Sequence, residues 1–221
     1  MFITNNHLLS RTECVKYLGV IIDDKLIWKP HITLVKKQVS KASGIICKPR
    51  CYIAFRSLKT VYYSIVYSHL RYAITSWGSS SLSALNNLNI IHNKLLRIMT
   101  FSKFNSNVCK FFKDTQILTI DRIFKLEISK LMYKIKFRFV PKQFTELFTK
   151  IEDIHSYHTK QRSSIEYTIL RTRLKIAQKS FTYTGIEIWS SIDPTIRSIP
   201  NYHLFLTKLK HKYQEEQSYH H

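Results

Sequence analysis

The sequence predicts a mainly α fold: a short N-terminal β-hairpin, a helical bundle after it, and a second, mostly helical region. Three observations carry that prediction. Only four Gly and five Pro occur in 221 residues, which favours long regular elements over a loop-rich or collagen-like chain. Apolar residues recur at helical spacing in several long windows. β-branched and aromatic residues concentrate in one run near the N-terminus. With 44% hydrophobic and 13% aromatic residues, the chain can bury a core, which argues against global disorder.

Val15-Lys16-Tyr17-Leu18-Gly19-Val20-Ile21-Ile22 reads as a strand closed by the turn signal Asp23-Asp24-Lys25, with Leu26-Ile27-Trp28 returning as a second strand. Pro30 suits the first turn of a helix running to Lys48. Ile32, Val35, Val39, Ala42 and Ile46 form its apolar stripe, and Lys37, Lys41 and Lys48 fall opposite, on a face without acids. Ser57–Ser68 gives a second helix. The tract Trp77-Gly78-Ser79-Ser80-Ser81 breaks the pattern, and Ser81 or a neighbour can cap a helix carrying Leu85, Leu88, Ile91, Leu95 and Ile98. The polar joint Ser102–Asn107 separates a first region, 1–102, from a second, 103–221.

In that second region a helix over Asp121–Phe139 buries Phe124, Ile128, Leu131, Ile135 and Phe139 and ends before Pro141. Lys130, Lys134 and Arg138 follow one flank at four-residue steps, an arrangement of like charges that an anion would relieve. Tyr157–Lys179 is polar, basic and β-leaning over 165–170, a loop or hairpin. Helices then follow around Ser180–Ile192 and Tyr202–Gln214.

Charge narrows the function. Thirty-five Lys and Arg oppose 14 Asp and Glu, a net +21, and a polyanionic partner relieves that self-repulsion. A Lys-rich composition explains the bases but not the shortage of acids, so nucleic acid is the favoured partner. No window is apolar enough to span a membrane, and the start has no secretory signal. Four Cys without framework spacing fit reduced thiols. These features lead us to expect an intracellular protein, nuclear or cytoplasmic and not secreted.

No self-contained active site emerges. Asp23-Asp24 has the form of a metal-binding carboxylate pair, but no third acid precedes it except Glu13 on the same segment, so a turn is favoured. Cys47 and Cys51 lack a second tight ligand pair; His155 and His158 are far off in sequence, so no metal site is expected. Neither a Gly-x-Ser-x-Gly elbow nor a Gly-rich phosphate loop is present. What remains is Lys and Arg interleaved with Tyr and Trp, a composition that neutralises phosphates and packs against sugars or bases, although most aromatics follow the core stripes.

The string Val15–Ile32, reading VKYLGVIIDDKLIWKPHI, closely resembles a segment of non-LTR (LINE-type, jockey/CR1-like) retrotransposon reverse transcriptases. The likeness continues through Ser43-Gly44, Tyr67-Ser68-His69-Leu70-Arg71-Tyr72, Trp77-Gly78 and Asn93–Ile98. It resumes at Ile117–Ile120, Met132-Tyr133-Lys134, Pro141, His155–Lys160, Gly185–Trp189 and Pro194–Arg197. Departures from the family pattern are Lys160 for Arg, Ser190 for Asn, and Ile192-Asp193-Pro194 for Leu-Pro.

The resemblance implies a C-terminal part of an RNA-directed DNA polymerase, beginning downstream of the catalytic Asp-Asp box. Lys16, Tyr17, Leu18 and Gly19 would be a primer grip, followed by thumb helices and a distal region. Gly19 lets a backbone approach closely. Lys37, Lys41, Lys48, Lys130, Lys134, Arg138, Lys160, Arg171 and Arg173 are then the candidate contacts to RNA or DNA, as primer–template or element RNA. On this reading the chain alone has no catalytic residue and no cofactor, Mg²⁺ belonging to the complete polymerase. The alternatives are a helical nucleic-acid-binding module with a non-polymerase role, or a protein-interaction domain whose charge is merely solvated.

Overall fold

The computed structural model describes residues 3–4, 7–8, 11–103, 106–151, 166–169 and 172–217. The expected class holds: short antiparallel hairpins precede a bundle of helices. Strands β1 (Ile3–Thr4) and β2 (His7–Leu8) pair with each other, as do β3 (Cys14–Tyr17) and β4 (Val20–Asp23). Helices α1 (Lys29–Cys47), α2 (Phe55–Val61), α3 (Ser68–Arg71), α4 (Ile74–Trp77) and α5 (Leu82–Met99) follow. Then come α6 (Val108–Thr115), α7 (Ile120–Lys136), α8 (Lys142–Thr145), α9 (Lys175–Gln178), α10 (Phe181–Ser190), α11 (Pro194–Arg197) and α12 (Tyr202–Glu216).

The hairpin differs from the expected layout. Val15–Ile22 is not one strand: the chain reverses inside it, at Leu18-Gly19, and Tyr17 pairs with Val20. Both turn residues have positive φ, 45° at Leu18 and 82° at Gly19, the combination that a two-residue hairpin loop needs to match strand twist. Leu26–Trp28 does not return as a strand. The Asp23 carboxylate accepts from the Ile27 and Trp28 amides, both at 2.8 Å, and holds Leu26 and Trp28 in left-handed conformations. Asp23 is therefore buried as a loop clamp, while Asp24 pairs with Arg11 at 2.9 Å.

The α1 stripe is buried at all five expected positions, with the lysines outside, and α1 packs most extensively on α5. The helix expected over Ser57–Ser68 is present but changes pitch: between α2 and α3, Tyr62–Tyr67 forms a π-helical turn, a widening common at functional positions. Ser81 precedes α5 as expected, yet its hydroxyl meets that of Ser83 and caps no backbone amide. Side-chain caps occur instead at Asn107, Thr119, Asp193 and Asn201.

Helix α7 is central. It packs against α3, α4, α8, α10 and α12, and its buried set includes Phe124, Ile128 and Ile135. It ends at Lys136, short of the expected Phe139, because Arg138 turns left-handed at φ 58°. Phe139 is consequently exposed. Close approach of α4 to α7 depends on Gly78. A Cβ there would lie 2.3 Å from the Phe124 ring and 2.6 Å from the Ile74 carbonyl.

Beneath the π-turn, the Tyr62 hydroxyl and His92 Nε2 lie 2.8 Å apart, and both side chains are buried. Burial lowers the His92 pKa to about 4 and also lowers that of His31. The His92 ring is therefore neutral at pH 7, and burial disfavours the charged form of His31 as well.

Two predictions follow from this packing. Gly78→Ala should lower unfolding stability by about 1–3 kcal/mol, the usual effect of overpacking, read from denaturant melts. For His92 the folded pKa lies below the unfolded 6.5, so the unfolded state binds the extra proton and stability falls with pH between about 6.5 and about 4. In that interval His92→Phe should lose about 3 kcal/mol less than the parent, read from urea melts at several pH values.

Candidate nucleic-acid interface

The hairpin presents Lys16, Tyr17, Leu18 and Gly19 at its tip, all exposed. Two contacts fix it to the bundle. The Tyr72 hydroxyl, from the turn after α3, donates to the Leu18 carbonyl, and its ring lies against Gly19. At the base, the Ile21 amide donates to His31 Nδ1 at 3.3 Å, and β4 packs on α1. His31 sits edge-on to Trp77, ring centroids 5.9 Å apart. His31 of α1 thus anchors the base of the hairpin, and Lys16–Gly19 at its tip stay exposed.

Lys37 and Lys41 share the solvent face of α1, Lys48 follows at its C-terminal end, and all three are exposed. Among the described residues, none of the three is in an ion pair with an acid. No Asp or Glu occurs anywhere between Asp24 and Asp114. That acid-free span is a sequence signal broader than the α1 face alone.

The α7 candidates do not form the expected row. Lys130 is largely buried and donates to Glu127 at 2.5 Å. Its pKa is lowered chiefly by desolvation, against the pull of Glu127. Arg71 of α3 holds the same carboxylate at 2.9 Å. The like-charge repulsion along this flank is thus relieved by an internal acid. Lys134 is exposed on α7. Arg138 lies beyond the helix end, exposed beside a 560 Å³ cleft shared with Lys136, Lys142 and Lys150. Arg173 is exposed on the segment before α9; Lys160 and Arg171 lie outside the described residues.

The distal motifs converge on one carboxylate. Glu166 Oε1 accepts from Lys136 at 2.7 Å and faces Arg197 Nη1 at 3.7 Å, while Glu166 Oε2 accepts from the Trp189 indole at 3.2 Å. Trp189 and Arg197 are both buried. These groups build structure, not a reaction centre. Among the described residues, no group of three His, Cys, Asp or Glu side chains is placed to hold a metal. Cys47 and Cys51 are free and exposed, and His155 and His158 lie outside the described residues. Among the described residues, no helix is long and apolar enough to cross a membrane.

Comparison with known proteins gives the kinship. Over 97 residues the chain is 32% identical to the RNA-directed DNA polymerase from mobile element jockey of Drosophila funebris, covering 42% of this chain and 10% of that protein. The Drosophila melanogaster jockey polymerase is 31% identical over the same length and the same shares. The probable RNA-directed DNA polymerase from transposon X-element of Drosophila melanogaster is 24% identical over 116 residues, 51% of this chain and 13% of that protein. The matches thus take in about a tenth of the length of these relatives. No family model matches the chain, and no solved structure does. The resemblance to non-LTR retrotransposon reverse transcriptases is borne out by these relatives.

The Tyr72 contact generates a prediction. Tyr72→Phe removes the donor to Leu18 while keeping the ring, and should lower global stability by only about 0.5–1.5 kcal/mol. Amide exchange at Gly19 and Val20 should accelerate while exchange in α7 stays unchanged, read by hydrogen exchange.

Proposed function

We propose that this chain grips the backbone of a primer–template duplex or element RNA, acting as the primer-grip and thumb part of an RNA-directed DNA polymerase. The observation that carries the reading is the exposed lysine row of α1, in a stretch of sequence free of acids, together with a hairpin that packs on α1 and is held at its tip by Tyr72 and at its base by His31. Relatives that are RNA-directed DNA polymerases support it.

The physical work divides between the two parts. Lys37, Lys41 and Lys48 meet phosphates as point charges, releasing condensed counterions without reading sequence. Lys16 adds a further cation at the hairpin. The Tyr17 ring, 63% exposed, packs on a sugar, and Gly19, lacking a Cβ, lets a strand's backbone come close. Because the tip is tied at the Leu18 carbonyl, it meets the strand in a set orientation, which limits the ordering cost of binding. Lys134, Arg138 and Arg173 extend the cationic surface. Asp23 is committed to the Ile27 and Trp28 amides, so this reading assigns the chain positioning and not nucleotidyl transfer. Any metal-binding carboxylates would come from another part of a polymerase.

Salt titration of duplex binding tests the proposal. Replacing Lys37, Lys41 and Lys48 together by Gln should make the slope of log affinity against log salt shallower by about 2–3, with unchanged thermal melting. An unchanged slope in a folded variant would remove α1 from the interface.

A further inference from the structure

A second cationic recess is built from different elements. It encloses about 280 Å³ and is lined by Lys59, Tyr63, Tyr67, Arg71, Lys130 and Lys210, drawn from α2, the π-turn, α3, α7 and α12. One carboxylate, Glu127, serves the group, and it is already engaged by Arg71 and Lys130. Among the described residues, Lys59 and Lys210 have no ion-pair partner. Four cations therefore line the recess and, among the described residues, no acid does, Glu127 reaching only Arg71 and Lys130. Desolvation chiefly disfavours the charged form of Lys130, Glu127 opposes it, and Arg71 and Lys210 add repulsion.

The aromatic wall is equally specific. Tyr63 is 39% exposed, but its ring is held edge-on by Tyr62 at 5.3 Å and Tyr67 at 5.2 Å between centroids. Tyr62 is fully buried and bonded to His92, so Tyr63 stands on a rigid base. The π-turn supplies this placement by setting Tyr62, Tyr63 and Tyr67 within one widened stretch of helix. A fixed aromatic face beside unpaired lysines is the pairing that takes a base and its phosphate together.

We propose that this recess binds a nucleotide, its base on Tyr63 and its phosphate between Lys59 and Lys210, either as a free nucleotide or as one residue of a single strand. The site is separate from the α1 face and does not depend on the duplex-gripping reading.

The test uses the full chain with adenosine monophosphate, inorganic phosphate and a short fluorescein-labelled oligothymidylate. Lys59→Gln combined with Lys210→Gln should weaken oligothymidylate binding about tenfold, and Tyr63→Ala about as much, whereas Tyr63→Phe retains it. Thermal melts confirm that each variant is folded, and the lysine pair keeps the test decisive if Tyr63→Ala is not. Displacement of the strand by adenosine monophosphate identifies a free nucleotide as sufficient; strand binding without it, lost in the same variants, identifies a strand subsite. Either upholds the site. Full affinity in the Lys59→Gln, Lys210→Gln variant, or displacement by inorganic phosphate as effective as by adenosine monophosphate, overturns it. Binding of these probes should also survive the Gln replacements on α1, which separates failure here from failure there.

Discussion

The placement of scarce acids organises this molecule. Fourteen Asp and Glu must serve 35 Lys and Arg, and several of those acids tie elements together from within. Glu127 joins α3 to α7 through Arg71 and Lys130. Glu166 collects Lys136, Arg197 and Trp189. Glu216 of α12 holds Arg122 of α7 at 2.5 Å, and Asp23 clamps the loop that starts α1. Buried charges require such partners. The consequence is spatial: Arg122, Lys125, Lys130 and Lys136 of α7 are paired with acids, whereas among the described residues the lysines of α1 and α2 have no ion-pair partner. The positive field is therefore concentrated on particular surfaces, where it can attract a polyanion.

Much of the fold was legible because apolar periodicity survives any detail of the turns. The α1 stripe from Ile32 to Ile46 and the Phe124, Ile128, Ile135 series are buried as their spacing implies. What failed to show was backbone conformation set by single contacts. A β-branched run such as Val15–Ile22 is equally compatible with one strand or two, and Leu18 takes a positive φ that only Gly or Asn would have advertised. With four Gly in the chain, Leu26, Trp28, Ala73, Gln116 and Arg138 also occupy left-handed turns. The π-turn was invisible for a related reason: Leu58, Val61, Tyr62, Ile65 and Val66 fit an ordinary helical stripe. The candidate site was legible in part. Lys37, Lys41 and Lys48 could be placed from spacing alone; the diversion of Lys130 to Glu127, and the meeting of Lys59 with Lys210, depend on contacts between distant elements.

The structure also gives physical reasons to the positions on which the sequence resemblance rests. Gly78 lets α4 approach Phe124, and Trp77 donates its indole N–H to the Tyr72 carbonyl at 2.9 Å. Trp189 and Arg197 meet at Glu166, and His31 carries the hairpin. Most of these residues hold the scaffold. Tyr72 links scaffold to surface, since its hydroxyl fixes the tip that presents Lys16 and Tyr17.

The central claim is that duplex nucleic acid lies along the hairpin tip and the outer face of α1. Lysine-reactivity footprinting with and without a primer–template duplex tests it most directly, with mass spectrometry reading acetylation at each site. Lys16, Lys37, Lys41 and Lys48 should lose reactivity severalfold on duplex addition, while Lys125 and Lys142, paired with Asp121 and Glu146, stay as they were. Undiminished reactivity of the α1 lysines under saturating duplex would contradict the account.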